Sequence, residues 1–170
     1  DAVTLHPYMG YDSIKPFADL CMKRGKGAFI LVKTSNPSGA DIQDRGVEGG
    51  HAVFEMVAQL VESWGADVIG ESGYSSIGAV VGATYPAQAK ILREMMPQSI
   101  FLVPGYGAQG GGAADVKPCF NSDGKGAIVN SSRGITFAYE KVDGPVDGSH
   151  YEQAAHNAVL AMKKDLDSIF

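Results

Sequence analysis

Short runs of consecutive apolar residues alternate along this chain with longer stretches whose apolar positions recur every three or four residues. Ala2 to Leu5 reads as a short buried strand, and Ala28 to Lys33 (Ala-Phe-Ile-Leu-Val-Lys) reads as the clearest buried strand. Between them Ser13 is expected to cap a helix running to about Arg24, with Ile14, Phe17, Ala18 and Cys21 on one face. Pro16 falls in the first turn of that expected helix, and Gly25 and Gly27 end it. A polar loop follows from Asn36 to Gly50. The next helix is expected from about Gly50 to Trp64, where Val53, Val57, Leu60, Val61 and Trp64 are at helical spacing. Ile77 to Gly82 reads as a strand, and Pro86 opens a helix that carries Ile91, Leu92 and Met95. Ser99 to Val103 and Ala127 to Asn130 read as two further strands. A last helix covers about Ser149 to Ser168, with Tyr151, Ala154, Ala155, Ala158, Val159 and Met162 as its apolar stripe.

Continuous apolar strands alternating with amphipathic helices predict an α/β fold, a parallel sheet of five strands covered by helices. No linker interrupts the pattern, so residues 1–170 are expected to form a single domain. An open doubly wound sheet and a piece of a barrel share this local pattern. Thr34-Ser35-Asn36, Thr84, Gly105 to Gly112 and Ser131-Ser132-Arg133 each follow a strand. They should therefore gather on the carboxyl edge of the sheet, where both architectures hold their sites.

Composition narrows the function classes. The 170 residues are 45% hydrophobic and 19% charged, as in a globular chain, and the net charge of −5 gives no support to nucleic-acid binding. Two cysteines, Cys21 and Cys119, make no disulfide framework and fit no metal-ligand spacing. There is no uninterrupted apolar run of the ~20 residues that a membrane span needs, and no basic-apolar leader, so a cytoplasmic location is expected. Asp1 is followed at once by strand-like sequence, so the start is expected to be a cut or processed end. His6, His51, His150 and His156 are scattered, Lys33 reads as a strand-end charge, and Asp41, Asp44, Arg45 and Glu48 read as a solvated loop.

Glycine, at 22 residues, is in excess and concentrates after the fourth strand, where five of the eight residues from Gly105 to Gly112 are glycine. Such a loop lets backbone N–H groups approach an anion closely, and Gln109 within it can donate and accept at once. Its spacing matches neither a P-loop nor the dinucleotide fingerprint. Arg133, after the next strand, suits bidentate phosphate binding. Thr34-Ser35-Asn36-Pro37 offers neutral donors and acceptors for a heterocycle edge, and is equally an ordinary turn signal.

Pro104-Gly-Tyr-Gly-Ala-Gln-Gly-Gly111, followed by Asn130-Ser-Ser-Arg-Gly134, resembles the orotidine 5′-phosphate decarboxylase family. Thr34-Ser-Asn-Pro37, Gly78-Ala-Val-Val-Gly-Ala-Thr84 and Asp1 to Gly10 are similar to strings of its bacterial subgroup. The resemblance implies a (β/α)8 barrel that converts orotidine 5′-phosphate to UMP without a cofactor or metal, usually as a homodimer. It further implies that Ser35 and Asn36 contact the pyrimidine edge, that Gln109 bridges phosphate and base, and that Arg133 grips the phosphate. Gly105, Gly110 and Ser132 would support the same end.

The family's Asp-x-Lys-x-x-Asp string is absent. The match begins at the family's fourth strand, so about three N-terminal β/α units are missing from a barrel of ~250 residues. The resemblance therefore implies no catalytic residue in this chain; neither Asp1 nor Lys33 is matched to one. The missing units are expected from a second chain or the same gene product, and Val3, Ile30, Val80 and Val129 are expected to face the barrel interior. Two other readings stand beside this one: another phosphate-binding barrel lyase, and a non-catalytic half-barrel that binds nucleotide phosphate.

Overall fold

The computed structural model describes residues 1–107, 110–142 and 149–170. Its strands are β1 (Ala2–Leu5), β2 (Gly27–Lys33), β3 (Ser75–Val81), β4 (Ser99–Val103) and β5 (Ala127–Val129). They form one parallel sheet in the order β1-β2-β3-β4-β5, so each strand pairs with its sequence neighbour. The helices are α1 (Tyr11–Arg24), α2 (Ala40–Gln43), α3 (Val53–Gly65), α4 (Pro86–Met95), α5 (Ala113–Val116), α6 (Ser132–Thr136) and α7 (Tyr151–Asp167). The expected α/β fold with five parallel strands is what forms.

Strand alternation divides the side chains between two unlike faces. Ala28, Ile30, Val32, Ile77, Ala79, Val81, Phe101 and Val103 enter a closed core with Ile14 and Cys21 of α1, Val57, Ala58 and Val61 of α3, and Leu92 of α4. On the other face Leu31, Val80, Leu102 and Ile128 lie abreast in register. Leu31 and Leu102 are only half-buried there, and Ile128 is 50% exposed. Of the four side chains expected on the inner face, only Val80 lies there. Ile30 is in the helix-covered core and Val129 packs against it. Val3, in register with Ala28, borders Phe17 and Leu20 of α1. In β1, β2 and β5 the expectation was out of phase by one residue, which in a strand exchanges the faces; β1, expected to be buried, is exposed from Ala2 to Thr4.

Helix ends depart from the sequence pattern in small ways with local causes. α1 starts at Tyr11 because Gly10 adopts φ 81°, a left-handed backbone that glycine tolerates. Ser13 lies within the first turn, and its hydroxyl donates back to the Gly10 carbonyl at 2.7 Å, so it is not the cap. Gly25, at φ 60°, closes the same helix as expected. The loop from Asn36 to Gly50 holds a 3-10 turn at Pro37–Gly39 and the single turn α2.

Arg93 of α4 braces the amino-terminal side of the sheet. It is 7% exposed, stacks 3.6 Å from the Phe101 ring centroid, and donates to the carbonyls of Met96, Ser99, Cys119 and Gly126 at 2.8–3.0 Å. Burial lowers its pKa to about 10. These bonds tie α4 to both strand β4 and the approach to β5.

Candidate functional site

The polar residues that follow the strands form a continuous row along the carboxyl edge. The first segment, Thr34-Ser35-Asn36, leaves β2 and touches the turn after β3. There Gly82 donates to the Lys33 carbonyl at 2.7 Å, and the Thr84 hydroxyl donates to the Ser35 carbonyl at 3.1 Å. A Cβ on Gly82 would lie 2.7 Å from the Ser35 Cα and N, so only glycine allows this approach. Ala83 in turn donates to the Pro104 carbonyl at 2.8 Å, and a Cβ on Gly111 would meet the Ala83 methyl at 2.8 Å. Finally, the Ser131 hydroxyl donates to the Tyr106 carbonyl at 3.3 Å, which joins the glycine loop to the segment carrying Ser132 and Arg133. The row therefore runs Ser35, Thr84, Gly105 to Gly107, Gly110, Gly111, Ser132 and Arg133 across strands β2 to β5.

Lys33 is the strand-end charge that the sequence suggested and Asp44 is exposed on its loop, but their pairing was not foreseen. Lys33 is fully buried, and its ammonium lies 2.6 Å from Asp44 Oδ1 and 4.3 Å from the Tyr85 ring centroid. The register shift between Leu31 and Lys33 puts the side chain beside Phe54 and Tyr85, away from the open face. A lysine held by a carboxylate and an aromatic ring is a brace under the Ser35 segment; it is not a free acid. Gln43 was missed for a similar reason. Its amide accepts from the Thr34 N–H at 3.0 Å and donates to Thr34 Oγ1 at 2.8 Å, a pairing formed only when α2 folds back over the loop.

The glycine loop is more self-contained than its composition suggests. Gly105, Gly107 and Gly110 have φ of 100°, 72° and 93°. The N–H groups of Gly107, Gly110 and Gly111 donate to the carbonyls of Gly111, Gly107 and Gly105, at 2.7, 2.9 and 3.2 Å. Backbone donors that were expected to face an anion are thus used within the loop, and the glycines serve its tight path. Gln109 lies outside the described residues. The Tyr106 hydroxyl donates to Asp165 of α7 at 2.6 Å, and burial together with that carboxylate raises its pKa to about 12. Ser132 and Arg133, the first residues of α6, are exposed, and Arg133 borders a recess of about 340 Å³ with Phe137, Glu140 and Lys141. Arg133 has no ion pair among the described residues, so its charge is available to a ligand. Among the described residues no three His, Cys, Asp or Glu groups gather to hold a metal. Nor does any helix there reach the length and apolarity needed to cross a membrane.

Three comparisons show which known proteins the chain is similar to. The family model described as orotidine 5′-phosphate decarboxylase / HUMPS family matches residues 1–143. Orotidine 5′-phosphate decarboxylases of Rhodopirellula baltica and Caldicellulosiruptor bescii are 46% and 48% identical to this chain, over 98% and 99% of it. The chain spans only about half of those relatives, 55% and 53% of their lengths. Among solved structures, the OMP decarboxylase of Leishmania donovani superposes with a TM-score of 0.74 at 31% identity, covering 97% of this chain and 57% of that one.

Proposed function

This chain belongs to the orotidine 5′-phosphate decarboxylase / HUMPS family, and from that premise we propose that it is the nucleotide-holding portion of an enzyme that converts orotidine 5′-phosphate to UMP. The observation that carries the reading is the row on the carboxyl edge. Ser35 and Arg133 follow β2 and β5, three strand spacings apart, or roughly 14 Å at ~4.8 Å per strand. That span suits a nucleoside monophosphate lying along the edge with its phosphate at Arg133 and its base at Ser35 and Asn36. Gly105, Gly110 and Ser132 fill the middle and the phosphate end, and Gln109 is assigned to bridge phosphate and base.

The five strands supply strands four to eight of a (β/α)8 barrel, and residues 1–170 act as one partial-barrel domain. Two features support this. The sheet is linear, with β1 and β5 as its edges, and one face carries Leu31, Leu102 and Ile128 half-buried or exposed. Three further β/α units, from a second chain or the same gene product, would close both edges and cover that face. The whole enzyme is proposed to be a cytoplasmic homodimer without a cofactor.

Loss of CO2 leaves a carbanion with little resonance help, so the reaction needs a fixed ammonium beside the ring carbon. Lys33 does not meet that need, because its ammonium is fully buried against the Phe54 and Tyr85 rings. The catalytic array is therefore assigned to the absent units, and the present chain supplies binding energy remote from the reacting carbon. The test is direct. The 170-residue chain assayed alone with orotidine 5′-phosphate should give no turnover, and the chain joined to the three units should decarboxylate it. Turnover by the isolated chain would refute the division of labour, and inactivity of the joined protein would refute the activity. The family resemblance to decarboxylases at 46–48% identity favours this reading over another barrel lyase.

A further inference from the structure

The hydrogen bonds beneath Asn36 form a directed chain. The Thr34 backbone N–H can only donate, and it donates to Gln43 Oε1 at 3.0 Å. The other end of that amide, Gln43 Nε2, must then be the donor toward Thr34 Oγ1, 2.8 Å away. The Thr34 hydroxyl, which has one proton to give besides its two lone pairs, donates it to Asn36 Oδ1 at 2.7 Å. Asn36 therefore keeps its carbonyl oxygen turned inward and presents its NH2 group outward, at an exposed position with no further partner among the described residues. Gly39 makes room for the relay, since a Cβ there would lie 2.9 Å from Thr34 Oγ1 and 3.0 Å from Gln43 Oε1.

We propose that Gln43 and Thr34 are positioning residues that fix the polarity of Asn36, so that it reads a carbonyl rather than an amine on the far edge of the pyrimidine. The inference rests on the reading above, in which the phosphate lies at Arg133 and the base at Ser35 and Asn36. With the phosphate about three strand spacings away, the part of the ring that meets Asn36 is the edge remote from the ribose. In uracil that edge carries a carbonyl at position 4; in cytosine it carries an amine. An outward NH2 matches the first and opposes the second.

Gln43→Glu tests the relay. A carboxylate accepts from both the Thr34 N–H and the Thr34 hydroxyl, so Asn36 Oδ1 loses its donor and the amide turns its oxygen outward. Calorimetry on the full-length protein would compare UMP with CMP. The expected result is weaker UMP binding and tighter CMP binding, the ratio shifting by about five- to tenfold, as for a hydrogen bond gained or lost. Thr34→Val, which frees Asn36 without inverting it, should lower UMP affinity with no gain for CMP. In an Asn36→Ala background, Gln43→Glu should no longer change the ratio. Equal losses for UMP and CMP in Gln43→Glu would mean loop damage and would overturn the relay. If Asn36→Ala itself leaves the UMP-to-CMP ratio unchanged, the base is not at Asn36 and the underlying placement falls with the relay.

Discussion

Gly82→Ala is a small change that should move the Ser35 segment, the proposed pyrimidine end of the site. The new methyl carbon would sit 2.7 Å from both the Ser35 Cα and its amide nitrogen, and 2.9 Å from the Ser35 Cβ. These are main-chain and first side-chain atoms, so no rotamer change relieves the contact. Ordinary contact begins at 3.4 Å, so the Ser35 segment has to retreat by about 0.7 Å. The retreat cannot be shared by the sheet, because Gly82 is also bonded to the Lys33 carbonyl at 2.7 Å. Overpacking of this kind costs about 1–3 kcal/mol of stability. Displacing a positioning group by up to ~1 Å costs up to about 100-fold in rate. The full-length variant should therefore remain folded, lose roughly ten- to 100-fold in kcat/KM for orotidine 5′-phosphate, and bind inorganic phosphate as before. A folded Gly82→Ala protein with unchanged kcat/KM would show that Ser35 does not need its present position, and the base-end assignment would fall.

Arg133→Ala in the full-length protein should weaken UMP by about ten- to 150-fold, the ~1.5–3 kcal/mol of a charge-assisted contact, while leaving uridine almost untouched; equal losses by calorimetry would place the phosphate elsewhere. Asp44→Asn should cost about 2–3 kcal/mol in denaturant unfolding, below the 3–5 of a fully buried pair because the Asp44 side chain is 36% exposed. Lys33→Met should cost less than Asp44→Asn, since it leaves no unpaired ammonium among Phe54 and Tyr85; the reverse order would refute the brace. Tyr106 should ionise near pH 12 in an absorbance titration and lower in Asp165→Asn. Because its folded pKa lies above the unfolded value near 10, its contribution to stability is full below pH 10 and is lost as pH rises toward 12.

The architecture was readable because strands buried in a parallel sheet write themselves as unbroken apolar runs. β4 was placed at its observed bounds, and β2 and β5 within one residue, from such runs alone. Pro86 marked the first residue of α4 for the steric reason that it lacks an N–H to lose. The four residues of α2, Ala-Asp-Ile-Gln, are too few to show any period, so Gln43 went unnoticed and Asp44 was read only as part of a solvated loop. The burial of Lys33 was missed because a shift in register at its strand end decides which face it takes, and register is a property of two strands together. The site fared likewise. Ser35, Asn36, Ser132 and Arg133 could be picked out as polar residues following strands, and the structure brings their segments into one row. The loop's internal use of its N–H groups could not be foreseen from glycine content, which says where the chain can turn and not what its amides bond to.

The linear order of the sheet also sets how firmly each part of the row is held. β3 lies at the centre with paired neighbours on both sides, whereas β5 has three residues and one neighbour. Local opening in such a sheet begins at its margins, so amide protons should exchange most slowly in β3 and fastest in β1 and β5. Ser35 and Thr84 hang from the slow centre, while Ser132 and Arg133 hang from the fast margin. On the proposed reading the base end is thus preformed, and the phosphate end gives up the most freedom when a nucleotide or a closing strand arrives. An anion drawn to Arg133 in that way would spend part of its attraction in quieting β5, and a closing neighbour that steadied this margin beforehand would return that part to affinity.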